Sequence, residues 1–274
     1  MDSKRALTML LVVLSTAVAG AVVVQMTEKH KAEALSASAA PAPAAFRRVL
    51  DVGHPLGPDN PAWPGDAHPF EAVPNATFEK DGYFTRKFTS LEHFGTHLDA
   101  PAHFVKGGWT VDQIPVSRLY GPAVVIDARG ESARDVDYRL APEKITEWES
   151  RNGRIPRGSI VVMCTGWSAR WNDAKSYRNM DSKGVMHFPG YGVDAVKLLI
   201  DRGVVGLTID TLSVDYGASK DFPVHHLSHG ASLFHVENLA DVGSLPETSA
   251  YLLVAPIDLE GGSGGPARVF ALLP

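Results

Sequence analysis

The chain has 274 residues, 45% of them hydrophobic and 21% charged, with a formal net charge of −5. That length fits one large domain or two small ones, and the composition is that of an ordinary globular protein. No run of Lys or Arg exceeds two residues and none interleaves with aromatics, so nucleic acid is not an expected partner.

The N-terminus departs from this average. Lys4 and Arg5 precede an uncharged stretch from Ala6 to Thr27, rich in Leu, Val and Ala. A basic segment followed by an apolar one is the pattern of an export signal, and this one is long enough to cross a bilayer. Residues 1–27 are therefore expected to be a signal peptide or a membrane anchor. Ala17-Val18-Ala19 and Ser36-Ala37-Ser38 both offer small-x-small cleavage patterns. Either form directs the protein to the periplasm or the exterior, with membrane contact only through this segment. Residues 28–46, rich in Ala, Ser and Pro, read as a linker, and the folded domain is expected over 47–274.

Val49–Val52 reads as a first short strand, followed by a Pro- and Gly-dense loop, His54–Pro74, that carries Trp63. Phe78–Glu92 alternates and is rich in Phe and Thr, which predicts strands. Ala123–Asp127 is an apolar strand ending in an acid. Pro142–Arg151 has helical character, with Gly153 just past its end. Ser159–Thr165 is a buried strand that holds Cys164, the only cysteine. No intrachain disulfide is possible, and a buried thiol is usually inert. Trp167–Met186 is polar and irregular, which predicts a surface excursion. Asp194–Arg202 reads as a helix stopped by Gly203, with Val204–Asp210 the strand after it. Tyr251–Ala255 and Ala267–Leu272 complete a sheet. Several strands follow one another without intervening helices, so the expected class is a mixed α/β fold, not a purely parallel sheet. Gly261–Gly265 invites a phosphate-loop reading, but the Lys-Ser/Thr pair is missing and Pro266 and a strand follow. A flexible turn is expected there.

Two stretches concentrate ligand chemistry. His93, His97, Asp99 and His103 fall within eleven positions, and imidazole and carboxylate are common ligands of zinc and similar ions. All four positions are odd, so an extended segment would place them on one face. A helix would instead turn Asp99 roughly 200° away from His97, and Gly95 and Pro101 oppose a regular helix. The pattern predicts a strand running into a tight loop, its polar face turned to a cavity. A lone histidine is best read as a satisfied core or surface residue. Four ligand-type residues on one face argue for a cluster. The second stretch holds His225, His226, His229, His235 and Glu237 in a short helix plus a turn. Not all of these can be ligands, and His229 and His235 are expected at surface or loop positions. Trp63 and Trp167 are candidates to stack on an aryl substrate, with capping of the core an equal alternative for Trp63.

The string His-Phe-Gly-Thr-His-Leu-Asp-Ala-Pro-Ala-His-Phe at 93–104 resembles the signature of the metal-dependent cyclase family, which includes bacterial kynurenine formamidase and isatin hydrolase. Trp63-Pro64-Gly65-Asp66, the segment Gly206–Asp215 and Val236-Glu237-Asn238-Leu239 agree in order. The likeness runs from about Val49 to the C-terminus. It implies a single domain with the mixed-sheet, swivelling β/β/α type of fold, commonly found as a homodimer. By the same resemblance His93, His97 and Asp99 are metal ligands, and His103 is the catalytic acid/base. His225 and Glu237 match a pair that binds a second metal in kynurenine formamidases, with Asp99 bridging, whereas a single manganese is typical of isatin-hydrolase-like members. The implied cofactor is one or two divalent ions, Zn or Mn. The implied reaction is hydrolysis of a C–N bond in a small aromatic amide, aryl formamide or lactam through a metal-activated water. An esterase or lactonase on the same site, or an exported metal- or solute-binding protein without turnover, are the alternatives. The export segment is unusual for a kynurenine-pathway enzyme, and His226 has no settled place in the pattern.

Overall fold

The most apolar runs of the chain end up side by side, and the sheet they form is closed. The computed structural model describes residues 46–65 and 68–274, which belong to one compact unit. The export segment, the linker up to residue 45 and Asp66 of the Trp63 string lie outside the described residues. Among the described residues twelve strands are formed: β1 Arg48–Asp51, β2 Phe70–Ala76, β3 Thr85–Ser90, β4 His97–Asp99, β5 Tyr120–Asp127, β6 Arg139–Leu140, β7 Ile160–Cys164, β8 Gly190–Tyr191, β9 Gly206–Ile209, β10 Phe234–Glu237, β11 Tyr251–Pro256 and β12 Gly264–Leu273. The main sheet runs β1-β12-β11-β5-β7-β9-β10-β4, and β4 pairs back onto β12, so seven of its eight strands close into a barrel. β5, β7, β9 and β10 are parallel neighbours. The pairings of β4 with β10 and β12, and of β11 with β5 and β12, are antiparallel. The class is mixed α/β, as expected.

The closed sheet explains the unbroken apolar runs. On β5, Ala123 and Val125 face the barrel interior with Ile160, Val162 and Cys164 of β7. Their alternates Val124, Ile126, Val161 and Met163 face an outer layer of helices. A strand covered on both faces has no position that water rewards for being polar. Each buried Val or Ile contributes about 1.5–3 kcal/mol. The outer layer includes the helices Pro142–Asn152 and Val193–Arg202. Pro142 starts the first without losing a hydrogen bond, and Ile145 and Trp148 point inward at helical spacing. The Trp148 indole N–H donates to the Val125 carbonyl at 3.0 Å. Gly203, at φ 74°, ends the second helix in the left-handed region.

Three expectations need correction. Phe78–Glu92 is not all strand: Phe78–Asp81 makes one helical turn closed by Gly82 at φ 75°, and β3 starts only at Thr85. Its partner β2 begins at Phe70, inside the expected loop. Trp167–Met186 is not a surface excursion. Trp167, Trp171, Tyr177 and Met186 pack with Phe188 and Leu212 into a separate small core, while the polar residues between them face outward. Of the glycine run, Gly261 turns between β11 and β12 as expected, at φ 72°, but Gly264 and Gly265 are the first residues of β12, paired with Asp99 and Leu98 of β4.

Candidate metal centre

Local backbone breaks aim the histidine stretch. The run 93–103 is not one extended segment. Gly95 sits at φ 66°, β4 covers only His97–Asp99, and Pro101–His103 is a 3-10 turn. His97 and Asp99 still share a face of β4, and both are buried. The antiparallel register sets Glu237 of β10 opposite His97 and His235 opposite Asp99, so four ligand-type side chains project to the same side. The helix Pro223–Gly230 adds His225 and His229, one turn apart. His103 reaches the group from its turn, its ring stacked on His93 with 3.8 Å between centroids.

Hydrogen bonds orient these side chains as they would around an ion. His97 Nδ1–H donates to the Gly95 carbonyl at 3.0 Å. Its free Nε2 lies 3.0 Å from Asp99 Oδ1 and 3.6 Å from Glu237 Oε2. His225 Nδ1–H donates to Asp215 Oδ2 at 2.7 Å, and its Nε2 is 3.5 Å from both Asp99 Oδ2 and Glu237 Oε1. Asp215 is itself held by the backbone N–H groups of Val224 and His225. His93 Nδ1 lies 2.6 Å from Asp99 Oδ1, and its Nε2 lies 2.9 Å from Ser263 Oγ. Ser263 Oγ donates to Glu92 Oε2, so it accepts from His93 Nε2–H and leaves the Nδ1 lone pair facing the carboxylate. Gly264 passes so close to His93 that a Cβ there would lie 2.5 Å from the imidazole Cε1. Asp99 Oδ2 is buried without a hydrogen-bond partner. Acceptors facing acceptors, with an orphan carboxylate oxygen among them, fit a divalent cation.

Without an ion, the side chains set one another's charges. Burial pushes Asp99 up, but His97 and His93 outweigh it and hold the carboxyl well below the ordinary range. Glu237 is pushed up to about 8, by burial and by the charge of Asp99. Burial lowers His225, but Asp215 and Asp99 raise it to about 10. His103 stands at the cavity mouth and is accessible, yet the rings packed around it desolvate it and lower it to about 3, against the pull of Asp99.

Above the ligands lies a cavity of about 540 Å³ with an apolar wall that includes Trp63, Leu91, Phe94, Phe104, Leu212 and Phe222. Phe222 takes a left-handed φ of 45° just before its helix, which sets its ring 5.9 Å from Trp63. The family model of the cyclases matches residues 50–216, a span that carries His93, His97, Asp99 and His103. The chain belongs to the cyclase family. It is 35% identical to an isatin hydrolase of Roseibium aggregatum over 82% of this chain and 92% of the relative. It is 26% identical to a kynurenine formamidase of Paracidovorax citrulli over 83% of this chain and 98% of that protein. The solved structure of isatin hydrolase A from Ralstonia solanacearum aligns with a TM-score of 0.78, at 36% identity, over 83% of this chain and 92% of that one.

In this cyclase-family chain the structure brings together His93, His97, Asp99, His103, His225, Glu237 and Trp63 around one cavity. Trp167 does not join them. Its indole N–H donates to the Tyr177 carbonyl at 2.8 Å inside the small core, and Arg170 covers its face. Hydrogen-bonded and enclosed there, it has no free face for a substrate. His229 and His235 are not surface residues: they are 1% and 0% exposed. The helical period carries His229 inward with His225, and the strand period carries His235 inward with Glu237. His226, between them, is exposed and meets Phe104 edge-on. Sequence reasoning also missed the residues that hold the ligands: Asp215, Ser263, Glu92 and Asn238. Asn238, at φ 59°, donates from its amide to the Gly95 carbonyl at 2.9 Å. Asp215, at the end of the matching Gly206–Asp215 segment, and Asn238, within the matching Val236–Leu239 string, left a sequence signal; Ser263 and Glu92 left none.

Proposed function

We propose that this cyclase-family chain is a metal-dependent hydrolase that opens the C–N bond of a small aromatic amide, aryl formamide or lactam. The observation that carries this is the placement of His103, stacked on the ligand His93 and open to the cavity. His103 lies within ligand reach of His93 and Asp99, but its exposure to the cavity, which a closed cation site does not need, favours an acid/base role. In this reading His93, His97 and Asp99 hold the ion, with Glu237 and His225 as further ligands and Asp99 able to bridge two ions. A cation bound there supplies Lewis acidity, polarising a carbonyl and bringing the pKa of water from 15.7 to about 7.

The protein's side chains do the rest. His103 is neutral at pH 7, so it can take a proton from water and return it to the departing nitrogen. Trp63, Phe104 and Phe222 favour a flat, aromatic substrate and thin the water around the scissile bond. The names of the relatives support a C–N bond as the target. The histidine and carboxylate donors suit Zn or Mn, in one or two copies. The closed mixed sheet is compatible with the swivelling β/β/α arrangement. The exposed side chains of Val73, Phe78, Tyr83, Phe84 and Phe88 around the β2–β3 hairpin favour a homodimer. We further propose export through residues 1–27, with 28–46 as linker and 47–274 as the catalytic domain; this rests on the basic-then-apolar N-terminus.

The test is acid release from isatin, N-formylkynurenine and an aryl ester, with metal content measured on the same sample. Turnover of the amide or lactam with bound Zn or Mn is the expected result. Hydrolysis of the ester alone would replace this reading with an esterase, and silence on all three with a binding protein.

A further inference from the structure

The metal-ligand set continues inward past the cavity floor. Asp99 Oδ2, His225, His229 and His235 form a fully buried group whose four ligand atoms all lie within 4.8 Å of one another. His229 and His235 stack at 4.0 Å between ring centroids, and the network around them assigns their protons. Ser228 Oγ donates to the Val224 carbonyl at 2.6 Å, so at its 2.6 Å contact with His235 it accepts from Nε2–H. The lone pair of His235 is then on Nδ1, 3.6 Å from Asp99 Oδ2. His229 Nδ1–H donates to the Leu233 carbonyl at 2.9 Å, which leaves its lone pair on Nε2. His225 has its Nδ1 proton on Asp215 and its Nε2 3.5 Å from Asp99 Oδ2.

Three imidazole nitrogens and a carboxylate oxygen thus face one another, with the lone pairs of His229 and His235 assigned to the shared space. Asp99 Oδ2, His229 Nε2 and His235 Nδ1 are all buried without a hydrogen-bond partner. Bonds of 2.0–2.1 Å to a tetrahedral zinc place ligand atoms about 3.4 Å apart, close to the measured 3.5 and 3.6 Å. We infer that His229 and His235, with His225 Nε2 and Asp99 Oδ2, form an inner, closed cation site separate from the site at the cavity. Its three nitrogen donors and one oxygen suit zinc. Four protein ligands leave no place for substrate, so the inner ion is structural. It fixes Asp99 and His225 from behind while Asp99 Oδ1 serves the cavity side. The inference rests on the metal-dependent reading only through Asp99, which the two sites share; His225 has a single Nε2 to give, and with the inner site filled it serves that ion, leaving the cavity-side ion to His93, His97, Asp99 and Glu237.

Crystals of the wild-type protein soaked in zinc alone, measured for anomalous scattering at the zinc edge, test this directly. The expected result is two peaks, one among His93, His97 and Asp99 and one among Asp99, His225, His229 and His235. An outer peak alone overturns the inner site and leaves the proposed function standing. An inner peak alone does the reverse, and no peak overturns both. In solution, H229Q and H235Q should each lower bound zinc by one equivalent per chain relative to the wild type. A wild-type zinc content in a folded H229Q/H235Q double variant would overturn the assignment, and if the variants do not fold the diffraction result decides.

Discussion

Glu237 sits opposite His97 in the antiparallel pairing of β10 with β4, and Glu237 Oε2 lies 3.6 Å from His97 Nε2. One pairing register therefore joins ligands separated by most of the domain. Shifting it by one residue would turn Glu237 and His235 away from the site together. His97→Ala should remove the cavity-side ion and activity together. The activity loss should exceed the 10–100-fold typical of residues that only support a ligand, checked by metal analysis and steady-state kinetics.

His103→Ala tests the opposite separation. His103 touches the cavity but need not hold the ion. Metal content should stay at the wild-type level while kcat falls about 10²–10⁴-fold, the usual contribution of an acid/base group. Wild-type turnover in this variant would remove His103 from the reaction.

Asp215→Asn tests support from behind. The carboxylate accepts from His225 Nδ1–H at 2.7 Å and so keeps the Nε2 lone pair toward Asp99. Asparagine can still accept a hydrogen bond but supplies no charge. A drop of about 10–100-fold in metal affinity or activity is expected, measured by competition with a chelating dye.

The pH dependence of the chelator-treated protein has a definite sign. Glu237 binds its proton up to about 8 in the fold, against 4.5 when exposed, and His225 up to about 10, against 6.5. Between pH 6.5 and 8 the native state thus holds more protons than the unfolded chain, and stability falls as pH rises. His54 and His229, lowered to about 4, and His103, lowered to about 3, act oppositely below pH 6.5. Burial leads in all three, so stability from these groups is lost as pH falls. Thermal unfolding in chelator should peak near pH 6.5, and added zinc should remove the decline above it. A Tm of the chelated protein that kept rising to pH 8 would contradict this.

Trp63 and Trp167 should separate cleanly. Trp63→Ala opens the cavity wall and should raise KM several-fold with little loss of stability. Trp167→Ala hollows the small core and should cost about 3–5 kcal/mol, read by denaturant unfolding, with KM unchanged in the folded fraction.

Much of the fold is legible in local sequence signals. Apolar runs such as Ile160–Cys164 and Gly206–Ile209 mark core strands, and Gly153 and Gly203 mark helix ends. Side-chain period and backbone freedom carry these signals. His93, His97, Asp99 and His103 are legible for the same reason: the chain needs only a short strand between two turns to bring them together. Alternation alone misleads at Gly95, because a glycine in the left-handed region breaks a strand without altering the odd-numbered spacing around it. The aromatics of Trp167–Met186 are hidden by their polar neighbours.

By itself the sequence determined the ligand types, the first cluster, the family likeness and the mixed α/β class, all carried by residues close together in the chain. Tertiary structure alone decided that β4 closes the barrel between β10 and β12. It likewise decided that His229 and His235 turn inward behind Asp99, and that Trp63 joins the cavity while Trp167 does not. Strand register and barrel closure are set by packing between segments far apart, and the free energy that selects them belongs to no single stretch of chain.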